Sequence, residues 1–288
     1  MTKGNRIISG TMNWGVWGKR LDTPSMASLI NTCVDMGILT FDNADIYGSY
    51  TTEEDFGKAF AETKIARESL YFISKCGIQF PSKNRPILFN YYTYTRDYII
   101  KQVECSLKNL KTDYLDLLLL HRPSPLMQAD QINGAIDQLL GQGKIKAFGV
   151  SNFTPSQIGL IQDQHSIIFN QIECSLMHHQ PLYDGTLDYL TANKMGVMAW
   201  APLGNFFGEE NKQQKRIQMS LQPLMEKYDA EQDELLLAWL MQHPAQIYPV
   251  IGTTDKNRIK KSINAAEIKL EEIDWFSLLV ASQGHKMP

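Results

Sequence analysis

Along the chain, short apolar runs rich in β-branched and aromatic residues alternate with longer stretches whose apolar positions recur at helical spacing. The first four pairs are RIISGT with SMASLINTCVDMG, ILTFD with TEEDFGKAFAET, LYFISKCG with TRDYIIKQVECSLKNLK, and YLDLLLLH with QINGAIDQLLGQG. Four more follow: IKAFGVS with PSQIGLIQDQ, SIIFNQIE with GTLDYLTANK, GVMAWAPL with two helical stretches, and IYPVIGT with KNRIKKSINAA. Over residues 98–110, Ile99, Ile100, Val103, Leu107 and Leu110 recur at helical spacing. Residues 115–120, by contrast, form the mostly apolar run of a parallel strand buried on both faces. Gly37, Gly143 and Gly196 stand between a helix and the next strand, where a helix C-terminus needs closing, and Asp113 and Asn193 mark comparable turns.

Eight such units in one uninterrupted stretch predict a (β/α)8 barrel, the TIM barrel, as a single domain over residues 1–288. A doubly wound sheet is the other way to arrange alternating units, but the chain lacks its GxGxxG fingerprint. A barrel gathers its chemistry at the carboxyl ends of its strands. The longest connections there, residues 77–95 and 202–212, are rich in Gly, Pro, Asn and aromatics and are candidate substrate walls or lids.

Composition narrows the class further. A hydrophobic content of 43% with 20% charged residues suits a globular protein with a substantial core. A net charge of −3, with one local basic cluster at Lys256, Arg258, Lys260 and Lys261, argues against nucleic acid as a partner. The opening MTKGNRIISGTMNWG lacks the apolar centre of a signal peptide, and no run approaches the roughly 18 apolar residues of a membrane span. A cytoplasmic protein without a membrane partner is expected. Cys33, Cys76, Cys105 and Cys174 are scattered, so buried reduced thiols are expected rather than disulfides or a metal site. His178 and His179 are adjacent and read as a solvated loop.

Asp42 closes ILTFD, with Tyr47 five residues on; Lys75 closes LYFISK and His121 closes YLDLLLLH. Taken singly, each has a plain structural reading: a helix-capping Asp, a packed tyrosine, a lysine reaching along the surface, a histidine ending a strand. Taken together, an acid, a phenol, a cation and an imidazole from three strand ends are the parts of a proton-transfer site.

The motifs GILTFDNADIYG, FISKCGI, YLDLLLLHRP, FGVSNF, FNQIE, AWAPLG and VIGTTDKNRI, in this order, resemble the aldo-keto reductases from end to end, and in particular a bacterial branch of general oxidoreductases. The resemblance implies a catalytic tetrad of Asp42, Tyr47, Lys75 and His121 and an NADP(H) cofactor bound without a Rossmann domain. In that scheme Lys75 lowers the pKa of Tyr47, Asp42 orients Lys75, and His121 polarises a carbonyl reduced to an alcohol. It further implies that Ser151, Asn152 and Gln171 hold the nicotinamide carboxamide, with Trp200 where many relatives carry the tyrosine that stacks under the ring. Met12 and Asn13 fall near the cofactor ribose or pyrophosphate, and Leu203, Gly204 and Asn205 belong to the loop over the pyrophosphate. Thr253, Thr254 and Arg258 match the receptor of an adenosine 2′-phosphate. Gly252 and Lys261 depart from it, since many relatives carry a lysine and a glutamate there. Trp14, Trp17 and Phe80 are candidate substrate-pocket aromatics.

Two other classes compete. One is a nucleotide-sensing binding module like the barrel subunits of potassium channels, against which the sequence offers no long N-terminal tether. The other is a lyase using Lys75 as a Schiff-base nucleophile, which leaves Tyr47 and the SNF motif unexplained. The expected partner is a small-molecule carbonyl substrate; the sequence carries no signal for an oligomeric state.

Overall fold

A parallel strand covered by helices has no solvent face, so its whole run can be apolar, and closing eight such strands into a ring removes every sheet edge. The computed structural model, which describes residues 4–83, 85–162 and 165–287, shows this arrangement. The strands of the ring are β1 (Ile8–Gly10), β2 (Thr40–Asp42), β3 (Tyr71–Cys76), β6 (Leu117–Leu120), β7 (Phe148–Ser151), β8 (Ile167–Glu173), β9 (Gly196–Trp200) and β10 (Tyr248–Ile251). They pair in parallel in chain order, and β1 against β10, with Ile8 opposite Val250, closes the barrel. Two further strands that the apolar pattern did not announce, β4 (Ile78–Gln79) and β5 (Tyr91–Tyr92), form an antiparallel ribbon in the connection after β3. Tyr91 and Tyr92 are both exposed while Ile78 and Gln79 are both buried, so neither two-residue strand alternates in a way that leaves a hydrophobic signature.

The helices fall where expected: Thr23–Asp35, Thr52–Glu62, Arg96–Leu110, Ala129–Gly141, Pro155–Ile161, Thr186–Ala192, the pair Lys212–Tyr228 and Gln232–Met241, and Lys256–Asn264. A helix outside the eight units, Glu272–Gln283, lies against this last part of the ring. Its Trp275 stacks on Trp239 at 4.8 Å, and each indole N–H donates to the other residue's backbone carbonyl, at 2.9 and 3.0 Å. Among the described residues no helix is long and apolar enough to cross a membrane.

Strand alternation divides the core in two. Ile8, Tyr71, Ile73, Leu117, Leu119, Phe169, Met198 and Val250 fill the barrel interior, while their neighbours Phe41, Phe72, Leu118, Leu120, Phe148 and Val197 pack with the helices. Continuing the inward parity one step toward the carboxyl ends arrives at Lys75, His121, Gln171 and Trp200. The residues expected to form the site are thus the top layer of the barrel filling.

Gly37 and Gly143 take the left-handed conformation after their helices, with φ of 83° and 68°. Gly196 does not. The left-handed turn before β9 is made by Lys194 (φ 57°) and the one before β6 by Lys111 (φ 52°), so Asp113 and Asn193 are not the turning residues. Gly196 is the first residue of β9, where a Cβ would lie 2.1 Å from Cε1 of the buried Phe169 ring. Gly196→Ala should therefore destabilise the fold by about 1–3 kcal/mol, despite the backbone entropy it saves, because the barrel interior must repack. Denaturant unfolding is the test: an unchanged or raised midpoint would show that Phe169 yields freely.

Candidate active site

Lys75 stands above Tyr71 and Ile73 on the inner face of β3 and is fully buried. A bare ammonium there would be untenable, and each of its donors is taken. Nζ donates to Asp42 Oδ2 at 2.8 Å, to the Asn43 carbonyl at 2.9 Å and to the Tyr47 hydroxyl oxygen at 2.9 Å. Burial works against the charged form, but Asp42 and then Tyr47 outweigh it, and the ammonium is held above the ordinary lysine range. The other carboxylate oxygen of Asp42 accepts from Gln171 Nε2 at 3.0 Å. The Thr11 hydroxyl lies 2.8 Å from Asn43 Oδ1 and braces the same strand end.

Tyr47 opens a tight turn in which Gly48, Ser49 and Tyr50 are all left-handed, with φ of 59°, 56° and 74°. For the two non-glycine residues that conformation costs about 1–2 kcal/mol each. External contacts hold it: Trp17 Nε1 donates to Ser49 Oγ at 3.2 Å, Phe80 N donates to Tyr50 Oη at 2.8 Å, and the Arg85 guanidinium lies 3.9 Å from the Tyr50 ring centre. The hydroxyl does not behave as the lysine alone would dictate. Burial drives its pKa up and outweighs the downward pull of Lys75, with Asp42 adding to the rise, so Tyr47 stays protonated at neutral pH. The ring faces His121 edge to face at 6.1 Å. Burial, then Lys75 and Arg122, push His121 well below the ordinary histidine range, so it is neutral, with its buried Nδ1 unpartnered.

Asp42, Tyr47 and His121 line a cavity of about 500 Å³ shared with Met12, Asn13, Trp17, Ser151, Asn152, Gln171 and Trp200, with Lys75 buried behind them. A second cavity of about 540 Å³, lined by Leu203, Gly204, Thr253, Arg258 and Lys261, adjoins it across Ala201, Pro202, Ile251 and Gly252. Together they make one cleft from the barrel mouth to the helix Lys256–Asn264. Asn152 is held in place: its Oδ1 accepts from Trp200 Nε1 at 2.9 Å and its Nδ2 donates to Ser151 Oγ at 2.8 Å. Gln171 spends one amide proton on Asp42, so it is a strut of the ion pair as well as a cavity residue. Thr254 and Asn205 line neither cavity. Trp14 is no pocket residue, because it is fully buried against Phe41 and Phe56. Trp17 does line the cavity, and Phe80 packs behind it at 5.3 Å.

Three features escaped the sequence. Asp255 caps the helix Lys256–Asn264 by accepting from the amides of Asn257 and Arg258 at 2.9 and 3.0 Å, which sets a carboxylate where an anion would otherwise dock. Glu53 and Asp45 are buried carboxyls behind the ammonium, Glu53 hydrogen-bonded to Ser74 Oγ at 2.5 Å and Asp45 Oδ2 to Gln102 Nε2 at 3.1 Å. The third is Arg122, which joins the cavity wall directly after His121. An acidic pair inside GILTFDNADIYG and TEEDFG was visible in the sequence, but only folding shows that both are out of water. Of the cysteines, Cys33, Cys76 and Cys174 are buried and free as expected, whereas the free Cys105 is exposed.

Residues 6–278 match the model of the aldo/keto reductase family. The chain is 38% identical over 290 residues to the uncharacterized oxidoreductase YcsN of Bacillus subtilis, with 99% of this chain and 96% of that one aligned. It is 35% identical to a 6-dehydroglucose reductase of Agrobacterium fabrum, over 95% and 94% of the two chains. Among solved structures, the thermostable aldo-keto reductase Tm1743, crystallised with the inhibitor epalrestat, superposes with a TM-score of 0.82 over 96% of this chain and 95% of that one, at 26% identity.

Asp45 offers a direct check on the buried shell. Burial, reinforced by Glu53, pushes it up to about 8 from 3.8, so the native state keeps a proton that the unfolded chain releases. The stability this contributes is complete below about pH 4 and is lost as the pH rises through about 8. The melting temperature should fall across that interval, and Asp45→Asn should flatten the fall; an undiminished slope in the variant would remove Asp45 as its source. The charged and titratable neighbours that bear on it are Glu53 and Arg85.

Proposed function

The chain belongs to the aldo/keto reductase family, and on that premise we propose that it is an NADPH-preferring oxidoreductase that reduces aldehydes or activated ketones to alcohols, with Tyr47 as the proton donor. The observation that carries this reading is the triple contact of the Lys75 ammonium with Asp42, Asn43 and the Tyr47 oxygen. Lys75 donates to the phenol oxygen, which leaves the phenol's own proton free to be given to a substrate. The same ammonium steadies the tyrosinate once the proton has left, and Asp42 keeps that charge in place. Neutral His121 offers a second hydrogen bond to a carbonyl oxygen held beside Tyr47, and polarises it without competing for the proton.

Carbonyl reduction needs a hydride at carbon as well as a proton at oxygen, and a bound nicotinamide dinucleotide supplies the hydride. The cleft suits such a group. Trp200 offers an aromatic face, Ser151, Asn152 and Gln171 offer amide and hydroxyl partners, and the adjoining cavity extends toward Arg258. Arg258 favours a 2′-phosphate there, while the Asp255 cap opposes it and Gly252 adds no cation. The balance points to a preference for NADPH of about tenfold, the worth of one charge-assisted contact.

Tyr47→Phe should lower kcat for every carbonyl reduced by about 10²–10⁴-fold while leaving cofactor affinity in place. Steady-state rates over a panel that includes 6-dehydroglucose, with fluorescence titration of the cofactor, decide it; unchanged reduction would remove Tyr47 as the acid. Quenching of tryptophan fluorescence should saturate at lower NADPH than NADH, and Arg258→Ala should erase the difference. Equal affinities in the unaltered protein would keep a reductase but withdraw the 2′-phosphate assignment.

A further inference from the structure

The cavity beside Tyr47 carries an unbalanced charge. Its ionisable lining residues are Asp42, Tyr47, His121 and Arg122. Asp42 is neutralised by Lys75 at 2.8 Å, Tyr47 holds its proton, and His121 is neutral. That leaves the Arg122 guanidinium, and no other carboxylate lines the cavity. In the adjoining cavity the charges balance, with Glu231 and Asp233 beside Arg258 and Lys261.

Arg122 is fixed at its backbone rather than at its head. The Tyr94 hydroxyl accepts from the Arg122 amide at 3.1 Å and donates to its carbonyl at 2.5 Å. The guanidinium lies 5.6 Å from the Trp200 ring centre and has no hydrogen-bonded or carboxylate partner among the described residues. A guanidinium over an indole at this distance makes a cation–π contact that leaves its N–H donors available. Half-buried, this cation shares the cavity wall with Trp17, Ile46, Ile78 and Trp200, and there it attracts an anion more strongly than it would in bulk water.

We infer that Arg122 receives a carboxylate on the substrate, so that the site prefers carbonyl compounds bearing a carboxylate over uncharged molecules of the same shape. This rests on the reductase reading above. A carboxylate matches the planar fork of one arginine in shape and in charge. A phosphate monoester, with about −1.5 to −2 charges, would leave charge uncompensated beside a single cation.

The test compares para-carboxybenzaldehyde with para-carbamoylbenzaldehyde, which has nearly the same shape without the charge. The wild-type protein should show kcat/KM about tenfold or more in favour of the carboxylate, expressed mainly in KM. In Arg122→Met that ratio should fall by about tenfold, and Arg122→Lys, which keeps the charge but loses the fork, should fall between. NADPH titration of each protein checks folding and cofactor binding in parallel. Turnover of both aldehydes with a wild-type ratio near one overturns the inference and leaves the reductase reading standing; this arm does not depend on either variant folding. A ratio unmoved by Arg122→Met, with weakened NADPH binding, also overturns it and assigns the guanidinium to the cofactor. Absence of turnover for every carbonyl tried removes the reductase reading, and this inference with it.

Discussion

A single desolvated ammonium organises this molecule. Lys75 lies wholly inside the barrel, and taking such a charge out of water costs several kcal/mol unless its partners restore what water provided. Asp42, the Asn43 carbonyl and Tyr47 do so at 2.8–2.9 Å, and Gln171 completes the carboxylate from the far side of the ring. Groups from β2, β3, β8 and the Tyr47 turn must be in register at once. Removal of one member of such a pair strands the other charge, at a typical cost of about 3–5 kcal/mol. The geometry of the site and the closure of the barrel are therefore the same constraint.

The protonation pattern follows from the burial around that pair. Loss of water drives the neighbouring groups toward their neutral forms, and for Tyr47 and Glu53 it outweighs the opposing pull of Lys75. Tyr47 and Glu53 rise, Asp45 rises to about 8, and His121 falls. An ammonium beside a phenol makes it more acidic, but here desolvation of the phenolate dominates. The resting site thus holds a protonated phenol set between a neutral imidazole and a compensated ammonium. The left-handed turn at Ser49 and Tyr50 keeps that phenol in place, braced from Trp17, Phe80 and Arg85.

Much of this was legible in the amino-acid order. Strand and helix periods located the eight barrel strands and their helices, and the strand-end positions of Asp42, Lys75 and His121 already marked one face of the ring. The misreadings share a cause. Trp14 and Trp17 sit three residues apart in one loop, yet one is sealed in the core and the other lines the cavity. Gly196 looked like a turn residue and instead leaves room for the Phe169 ring from the neighbouring strand. The ribbon β4–β5 has no hydrophobic alternation to betray it, because its tyrosines face solvent.

What the sequence determined by itself is the set of parts and their order around the ring, because local periodicity dictates strand and helix, and parallel closure dictates which strand ends share a face. What only the tertiary structure decided is the electrical state of those parts: which carboxyls are out of water, which cation is compensated, and which is left over. Asp42, Asp45 and Glu53 are all carboxylic acids, and Arg85 and Arg122 are alike as letters. Their differences come from burial and from neighbours distant along the chain, such as Gln171 on Asp42 and Gln102 on Asp45. Desolvation and charge pairing depend on distances in space, and no local pattern of residues encodes them.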